Sequence, residues 1–402
     1  MFRPPAKTSY HSPAILRRKR RLILHLGFNK TGSSALQSWL ANNVSGLSDQ
    51  GFFYEIGHKE NLNYRVGPGN GERLRLLLRS AIKNYPKWRI DRRVHQKIRK
   101  RRVDLHYLDN DHPNIIISSE GLPLARRSIP LLKEIERDFD VRINIVAFMR
   151  DPIDHLFSLY AHEMKLRGDA KPKPFEAYLD GPDIPHHIAL ATLLAEHFKD
   201  IKLLSYDNAK KNVAAAFCDA AGLDYSKLEP MRKVSVNRAL LHDEMQVVRQ
   251  VHEWSERYAA ARTGRPPGPG GFNTLSGAAA IYLVNQYPER KGKKIIPTSH
   301  ATLRALEAKY GPAIERFNAD LGARFGFSLR SSYKGDFEIC ERADTMPLSQ
   351  DILRDVAIHL SGETGRLGDD WLDDFAEFAA AVDIETSTIF KKAARSRLDG
   401  RQ

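Results

Sequence analysis

The apolar run Leu22-Ile23-Leu24-His25-Leu26 stops at Gly27 and opens into Phe28-Asn29-Lys30-Thr31-Gly32-Ser33-Ser34. A short run of this kind is the pattern of a parallel strand buried on both faces. From Ser33 to Asn42, Ala35, Leu36, Trp39 and Leu40 recur at helical spacing, so the order is strand, glycine loop, helix. This junction asks for a parallel sheet with crossover helices. It also aims the free N–H groups of a helix N-terminus beyond the strand's end, where they attract an anion. Lys30 adds a mobile positive charge. Gly32 permits a positive φ or a close backbone approach, and Ser33 and Ser34 supply hydroxyls and helix caps. The segment Asn29, Lys30, Thr31, Gly32, Ser33 and Ser34 is therefore the expected cradle for a phosphate or sulfate.

Further strand-like runs rich in Ile and Val lie at Asn114–Ser118 and Ile143–Phe148, with another at Ile201–Tyr206. Helical patterns fall between them at Leu131–Phe139 and Pro152–Arg167, and after them at Asn208–Ala221, which stops at Gly222. Alternation of this sort predicts a parallel sheet covered on both faces. Residues 1–20, with Pro4, Pro5, Pro13 and a run of Arg and Lys, read as a flexible basic arm. A basic insertion spans 79–102, and Arg265–Gly271 is a Pro/Gly loop. Thr302–Phe325 reads as helix broken at Gly311-Pro312, and Leu348–Ala394 as further helix. The expected division is the arm, a main domain over 21–330, and a helical C-terminal extension over 331–402.

A second segment carries chemistry. Ile145-Val146-Ala147-Phe148-Met149 ends in Arg150-Asp151-Pro152, followed by Ser158, Tyr160 and Lys165. Taken alone, Arg150-Asp151 is a strand-end ion pair with a capping aspartate. Arginine there would also offer a planar fork of donors to a phosphate, and Pro152 suits a first helical turn.

Lys30-Thr31-Gly32 after an apolar strand and His25-Leu26-Gly27 resembles the 5′-phosphosulfate loop of the sulfotransferases that use 3′-phosphoadenosine 5′-phosphosulfate (PAPS), in particular bacterial and carbohydrate-acting members. It is not the usual ATP-binding order, in which Gly-Lys-Ser/Thr follows a glycine and four residues. The Arg-Asp-Pro segment is similar to the second signature of the same family. The resemblance spans about Leu22 to Leu240 and extends toward Leu329. It implies an α/β fold with a P-loop-like, doubly wound parallel sheet flanked by helices, here with a mostly helical C-terminal extension. It implies that Arg150 and Ser158 hold the nucleotide's 3′-phosphate. Val236-Asn237-Arg238 stands where related bacterial enzymes carry an Asn-Arg element near the nucleotide, which adds Arg238. Lys334-Gly335 is similar to a basic-glycine segment that closes over the nucleotide in animal cytosolic members.

Sulfuryl transfer from PAPS to a hydroxyl or amine needs charge stabilisation on the leaving oxygen, which Lys30 and the loop N–H groups can supply, and a base for the attacking group. Two residues compete for the base. Glu120 follows Ile115–Ser119 at the C-terminal end of a strand, where open α/β sheets place ligands. His58, in Ile56-Gly57-His58, has a suitable unperturbed pKa. No metal is called for, and the sequence offers no metal-ligand cluster.

The net charge of +14 favours polyanionic partners. The insertion at 79–102 is a solvated face or a dock for an anionic acceptor. The acceptor class expected is a carbohydrate or glycolipid. No stretch is long and apolar enough for a membrane span, no nucleic-acid module is visible, and two distant cysteines, Cys218 and Cys340, point to a reducing, cytoplasmic setting. Two other readings stay open. A small-molecule kinase would need an acidic residue for Mg²⁺, with Asp151 or Glu120 in that part. A basic nucleic-acid-binding protein would use residues 79–102 as its contact surface.

Overall fold

The computed structural model describes residues 19–28, 30–56, 69–84, 108, 111–120, 122, 124, 126, 128–166, 175–180, 186–231, 239–263, 274–341 and 349–362. Its principal elements are β1 (Arg20–Gly27), α1 (Ser33–Asn42), α2 (Val44–Asp49), β2 (Phe52–Phe53), α3 (Glu72–Asn84), β3 (Asn114–Glu120), α4 (Ile129–Asp138) and β4 (Val141–Met149). They continue with α5 (Pro152–Leu166), α6 (His186–His197), β5 (Ile201–Ser205), α7 (Tyr206–Ala209), α8 (Val213–Ala221), α9 (His242–Thr263) and α10 (Thr274–Gln286). Last come β6 (Ile295–Ile296), α11 (His300–Phe317), β7 (Glu338–Ile339) and α12 (Gln350–Gly362).

Five strands form one sheet in the order β2-β3-β1-β4-β5, and every neighbouring pair runs parallel. Side chains alternate across each strand, so each strand feeds both faces. Leu22, Leu24, Leu26, Ile115, Ile117, Ile143 and Ile145 join one core with α4, α5 and α6. Ile23, Ile116, Val146 and Phe148 join the opposite core with Trp39 and Leu40 of α1 and Phe217 of α8. The protein is thus an α/β fold whose parallel sheet is flanked by helices. Among the described residues no helix is long and apolar enough to cross a membrane.

Three segments depart from the sequence reading. Helix α11 runs through Gly311-Pro312 to Phe317 and a π-type turn, Asn318–Gly322, without breaking. Leu306, Tyr310, Ile314 and Phe317 are buried in the main core, and that packing outweighs the one hydrogen bond a proline removes. Tyr206 leaves β5 and begins the short helix α7, because Ser205 accepts the Asn208 N–H and caps it. The helix expected from Asn208 begins instead at Val213, where Asn212 accepts the Ala215 N–H. A further core, formed by α9, α10 and α12 around Val247, Val251, Ala280, Leu283, Leu353 and Val356, was not foreseen. Residues 1–18 of the arm expected over 1–20, the loop at Arg265–Gly271, residues 363–402 and most of the basic insertion lie outside the described residues, and Arg20 opens β1. Cys218 is buried, Cys340 half-buried, and both are free thiols.

His25 shows what central burial in this sheet demands. It is fully buried on β1, with Nδ1 2.8 Å from Ser118 Oγ and its ring edge-on to Phe148 and Phe217. Burial lowers its pKa from 6.5 to about 3. The unfolded chain therefore takes up a proton below about pH 6.5 that the folded chain refuses. The stability linked to His25 is fully present above that pH and is lost as pH falls toward 3, at about 1.4 kcal/mol per pH unit. Unfolding free energies measured across this window should show a slope that His25→Asn reduces by about one proton; an unchanged slope would mean that His25 is protonated in the fold.

Candidate functional site

Parallel register determines what the sheet presents at its C-terminal edge. Gly27 lies opposite Glu120, Leu26 opposite Ala147, and Met149 opposite Ser205. The loop after β1, Glu120, Arg150 and Tyr206 therefore emerge side by side. Strands β2 and β3 lie on one side of β1 and β4 and β5 on the other, so the connections diverge around this edge, which is where open α/β sheets form a ligand crevice.

The loop is held in a strained, compact form. Lys30 has φ 65° and Gly32 φ 77°. For lysine that region costs roughly 1–2 kcal/mol, and a set of short-range bonds imposes it. The Phe28 carbonyl accepts the Thr31 N–H at 3.3 Å, the Thr31 hydroxyl at 2.6 Å and the Ser33 hydroxyl at 3.4 Å, while the Gly32 carbonyl accepts the Leu36 N–H at 3.0 Å. Gly32, the N-cap of α1, has no side chain to close the helix. Glu120 serves instead: its carboxylate accepts the Ser34 hydroxyl at 3.1 Å and also the Ser34 N–H. The helix N-terminus thus faces a carboxylate, in keeping with its affinity for anions. Burial pushes the Glu120 carboxyl above the usual range, against the Ser34 hydrogen bonds and the Lys30 charge, which pull it down.

Arg150 reaches the loop from β4. Its Nη1 donates to the Lys30 carbonyl at 3.2 Å, its guanidinium sits 5.5 Å from the centre of the Tyr206 ring, and its Nε is sealed from water without a hydrogen-bond partner. Tyr206 also packs on the loop, 3.1 Å from where a side chain at Gly32 would begin. The local ion pair with Asp151 does not form. Asp151 accepts the Arg330 backbone N–H at 2.8 Å and the Arg330 Nε, and Asp154 accepts Arg330 Nη2 at 2.9 Å. Ser158 is half-buried on α5, one turn beyond Asp154. The segment after Arg330 folds onto the same helix: a Cβ at Gly335 would lie 2.6 Å from Asp154 Oδ1, and the Tyr333 ring packs 4.7 Å from that of Phe157.

The structure therefore brings together Lys30, Thr31, Gly32, Ser33, Ser34, Glu120 and Arg150, with Ser158 further along α5. Asn29, His58 and Arg238 lie outside the described residues. Sequence reasoning missed Tyr206, Asp154 and Arg330. Tyr206 had one signal, its place directly after a strand, as Arg150 follows β4; Arg330 stands 179 residues from Asp151 and had none. Among the described residues the grouping of carboxylates able to converge on a metal is Asp151, Asp154 and Asp207, and Arg330 already donates into it. A cavity of about 280 Å³ lined by Asn144, Lys199, Lys202 and Arg324 lies at the opposite, N-terminal end of β4 and β5. No family model matches the chain, and a search of the curated proteins returns no match.

Close approach at the strand end can be tested directly. A Cβ at Gly27 would lie 2.5 Å from Ser33 Oγ and 2.9 Å from Glu120 Cγ. Gly27→Ala should destabilise the fold by about 1–3 kcal/mol, the range of overpacking, measured by chemical denaturation; a variant as stable as the parent would show that this contact has slack.

Proposed function

We propose that this chain is a sulfotransferase that moves a sulfuryl group from PAPS to a hydroxyl or amine of an acceptor, with a carbohydrate or glycolipid as the acceptor class. The observation that carries this reading is Arg150. Two segments 120 residues apart, each singled out by its residue pattern, meet through the bond from Arg150 Nη1 to the Lys30 carbonyl. A buried guanidinium nitrogen without an acceptor costs about 1–3 kcal/mol, and an incoming anion would supply that acceptor.

The P-loop-like character of the sheet edge belongs to the same proposal. The loop N–H groups and Lys30 would hold the sulfated end of the donor, and Arg150 with Ser158 its 3′-phosphate. When bound, PAPS supplies an activated sulfuryl group. Lys30 and the loop N–H groups stabilise charge on the oxygen that leaves, and Glu120 takes the proton of the attacking group as the new sulfur–oxygen bond forms. A carboxyl raised above its usual range by burial is better matched to that task than an exposed one. A kinase reading is less well supported, since the two carboxylates it offers to Mg²⁺, Glu120 and Asp151, are engaged by Ser34 and Arg330.

Titration calorimetry with adenosine 3′,5′-bisphosphate tests the reading. The parent should bind it in preference to ATP. Arg150→Ala should weaken binding by about tenfold or more, the worth of a charge-assisted hydrogen bond, and unchanged affinity would remove Arg150 from the site. With labelled PAPS, Lys30→Ala should slow transfer by about a hundredfold. Glu120→Gln should abolish transfer while nucleotide affinity stays near that of the parent. Because the base works deprotonated, the parent's rate should fall on the acid side of the raised Glu120 pKa; a Glu120→Gln protein that turns over with the parent's pH profile would rule out this base.

A further inference from the structure

Arg150 is surrounded by charges that ought to capture it. The carboxylates of Asp151, Asp154 and Asp207 gather with their oxygens within 4.8 Å of one another. Asp207 follows Tyr206, whose ring lies against the Arg150 guanidinium, and its Oδ2 accepts the Asp151 N–H at 3.5 Å. Asp154 is 3% exposed, and its Oδ1 is sealed from water without a hydrogen-bond partner. Two carboxylates beside a guanidinium normally form the forked pair that makes arginine inert toward other anions. Yet among the described residues Arg150 has no carboxylate partner: its hydrogen bond goes to the Lys30 carbonyl, and its Nε is unmatched. The carboxylates are engaged from the other side by Arg330, whose backbone N–H and Nε go to Asp151 and whose Nη2 goes to Asp154.

We propose that Arg330 is a positioning residue which occupies Asp151 and Asp154 and so keeps the Arg150 guanidinium open to an incoming phosphate. The proposal rests on reading Arg150 as a phosphate contact and adds what leaves that contact available. Removing Arg330 frees carboxylate oxygens on both Asp151 and Asp154 and leaves Arg150, among the described residues, as the remaining cation whose charge Asp154 feels, so Arg150 swings onto them. The groups facing Asp154 set up a balance of charge there. Burial raises its carboxyl to about 6, Arg330 pulls it down, Asp151 pushes it up, Arg150 pulls it down and Asp207 pushes it up, while the Tyr333 hydroxyl lies within range of both Asp154 and Arg150. Asp154 is thus the carboxylate whose charge state depends on both arginines. Its neutral form has no claim on Arg150.

The test is a double-mutant cycle of charge removal with two readouts. In calorimetry with adenosine 3′,5′-bisphosphate, R330A is expected to weaken binding about tenfold or more, and the double variant R330A/D154N to return to within about threefold of the parent. Arginine side-chain nitrogen NMR of the ligand-free protein is expected to show the Arg150 Nε–H signal displaced in R330A and restored in the double variant. If R330A does not fold, R330K carries the same test, with a smaller loss that D154N again reverses. Two results overturn the proposal: an R330A protein that matches the parent in both readouts, or a double variant no better than R330A, which would mean that Arg330 only fastens its own segment to α5. Should the parent bind no nucleotide while the Arg150 signal still moves and returns, the sulfotransferase reading falls and the role of Arg330 stands.

Discussion

Strand β1 is zipped on both sides in parallel register, to β3 through Arg21–Gly27 and to β4 through Arg20–Leu26, and every feature of the site inherits its place from those two pairings. Parallel pairing sends the ends of all three strands to the same edge, so residues 27, 120 and 150 become neighbours although they are far apart in the chain. A slip of one residue would exchange the two sets of side chains between the faces and misfit both cores. The two cores on either face make that slip costly: Leu22 and Leu24 belong to one, Ile23 to the other. The hydrogen bond from His25 to Ser118 adds a polar pin deep in the sheet at the same register step as the pair His25–Ser118 in the backbone ladder.

Electrostatics at this edge follows from burial. In a low-dielectric setting each charge needs a partner or shifts its protonation. Glu120 is matched by Ser34 and Lys30, and Asp151 and Asp154 by Arg330. Among the described residues Arg150 is matched by a carbonyl and an aromatic face and by no carboxylate. The imbalance is specific in position: the arginine that lacks a carboxylate among the described residues is the one that donates to the loop after β1. Under the proposed reading this donor is fixed before an anion arrives, which spares the reorganisation that free side chains would need.

The sheet and the loop were legible in the sequence because both are local signals. Leu22–Leu26, Asn114–Ser118 and Ile143–Phe148 are runs whose composition alone identifies buried strands, and Gly27 and Gly32 mark places where backbone must approach side chains closely, as the near contacts with Ser33, Glu120 and Tyr206 bear out. Glu120 and Arg150 could be read from their position at strand ends. Boundaries set by capping were harder. Ser205 and Asn212 divide one expected helix into two, a choice made by single side-chain hydrogen bonds. Gly311-Pro312 looked like a break and is not one, because Tyr310 and Ile314 bury themselves on either side of it. The partner of Asp151 was out of reach altogether: nothing in Arg330's neighbourhood distinguishes it from the other basic residues of a strongly basic chain, and the meeting is decided by how the C-terminal half folds.

That half is tied to the site by aromatic packing. Phe157 of α5 takes the Tyr333 ring at 4.7 Å and the Phe337 ring at 6.3 Å, and the Tyr333 hydroxyl donates to the Phe337 carbonyl while accepting its N–H. From there the chain enters β7, which pairs with β6 in a second small sheet, and further on α12 enters the core of α9 and α10. Arg330 is therefore presented to Asp151 and Asp154 by a segment fastened by aromatic packing on Phe157 and by hydrogen bonds of Leu329 with Asn318 and of the Tyr333 N–H with Glu307. The charge balance around Arg150 depends on that docking as much as on the residues of the first sheet. A chain cut before Arg330 would retain the glycine loop and the strand-end arginine, yet take from Asp151 and Asp154 the described cation that hydrogen-bonds to both of them.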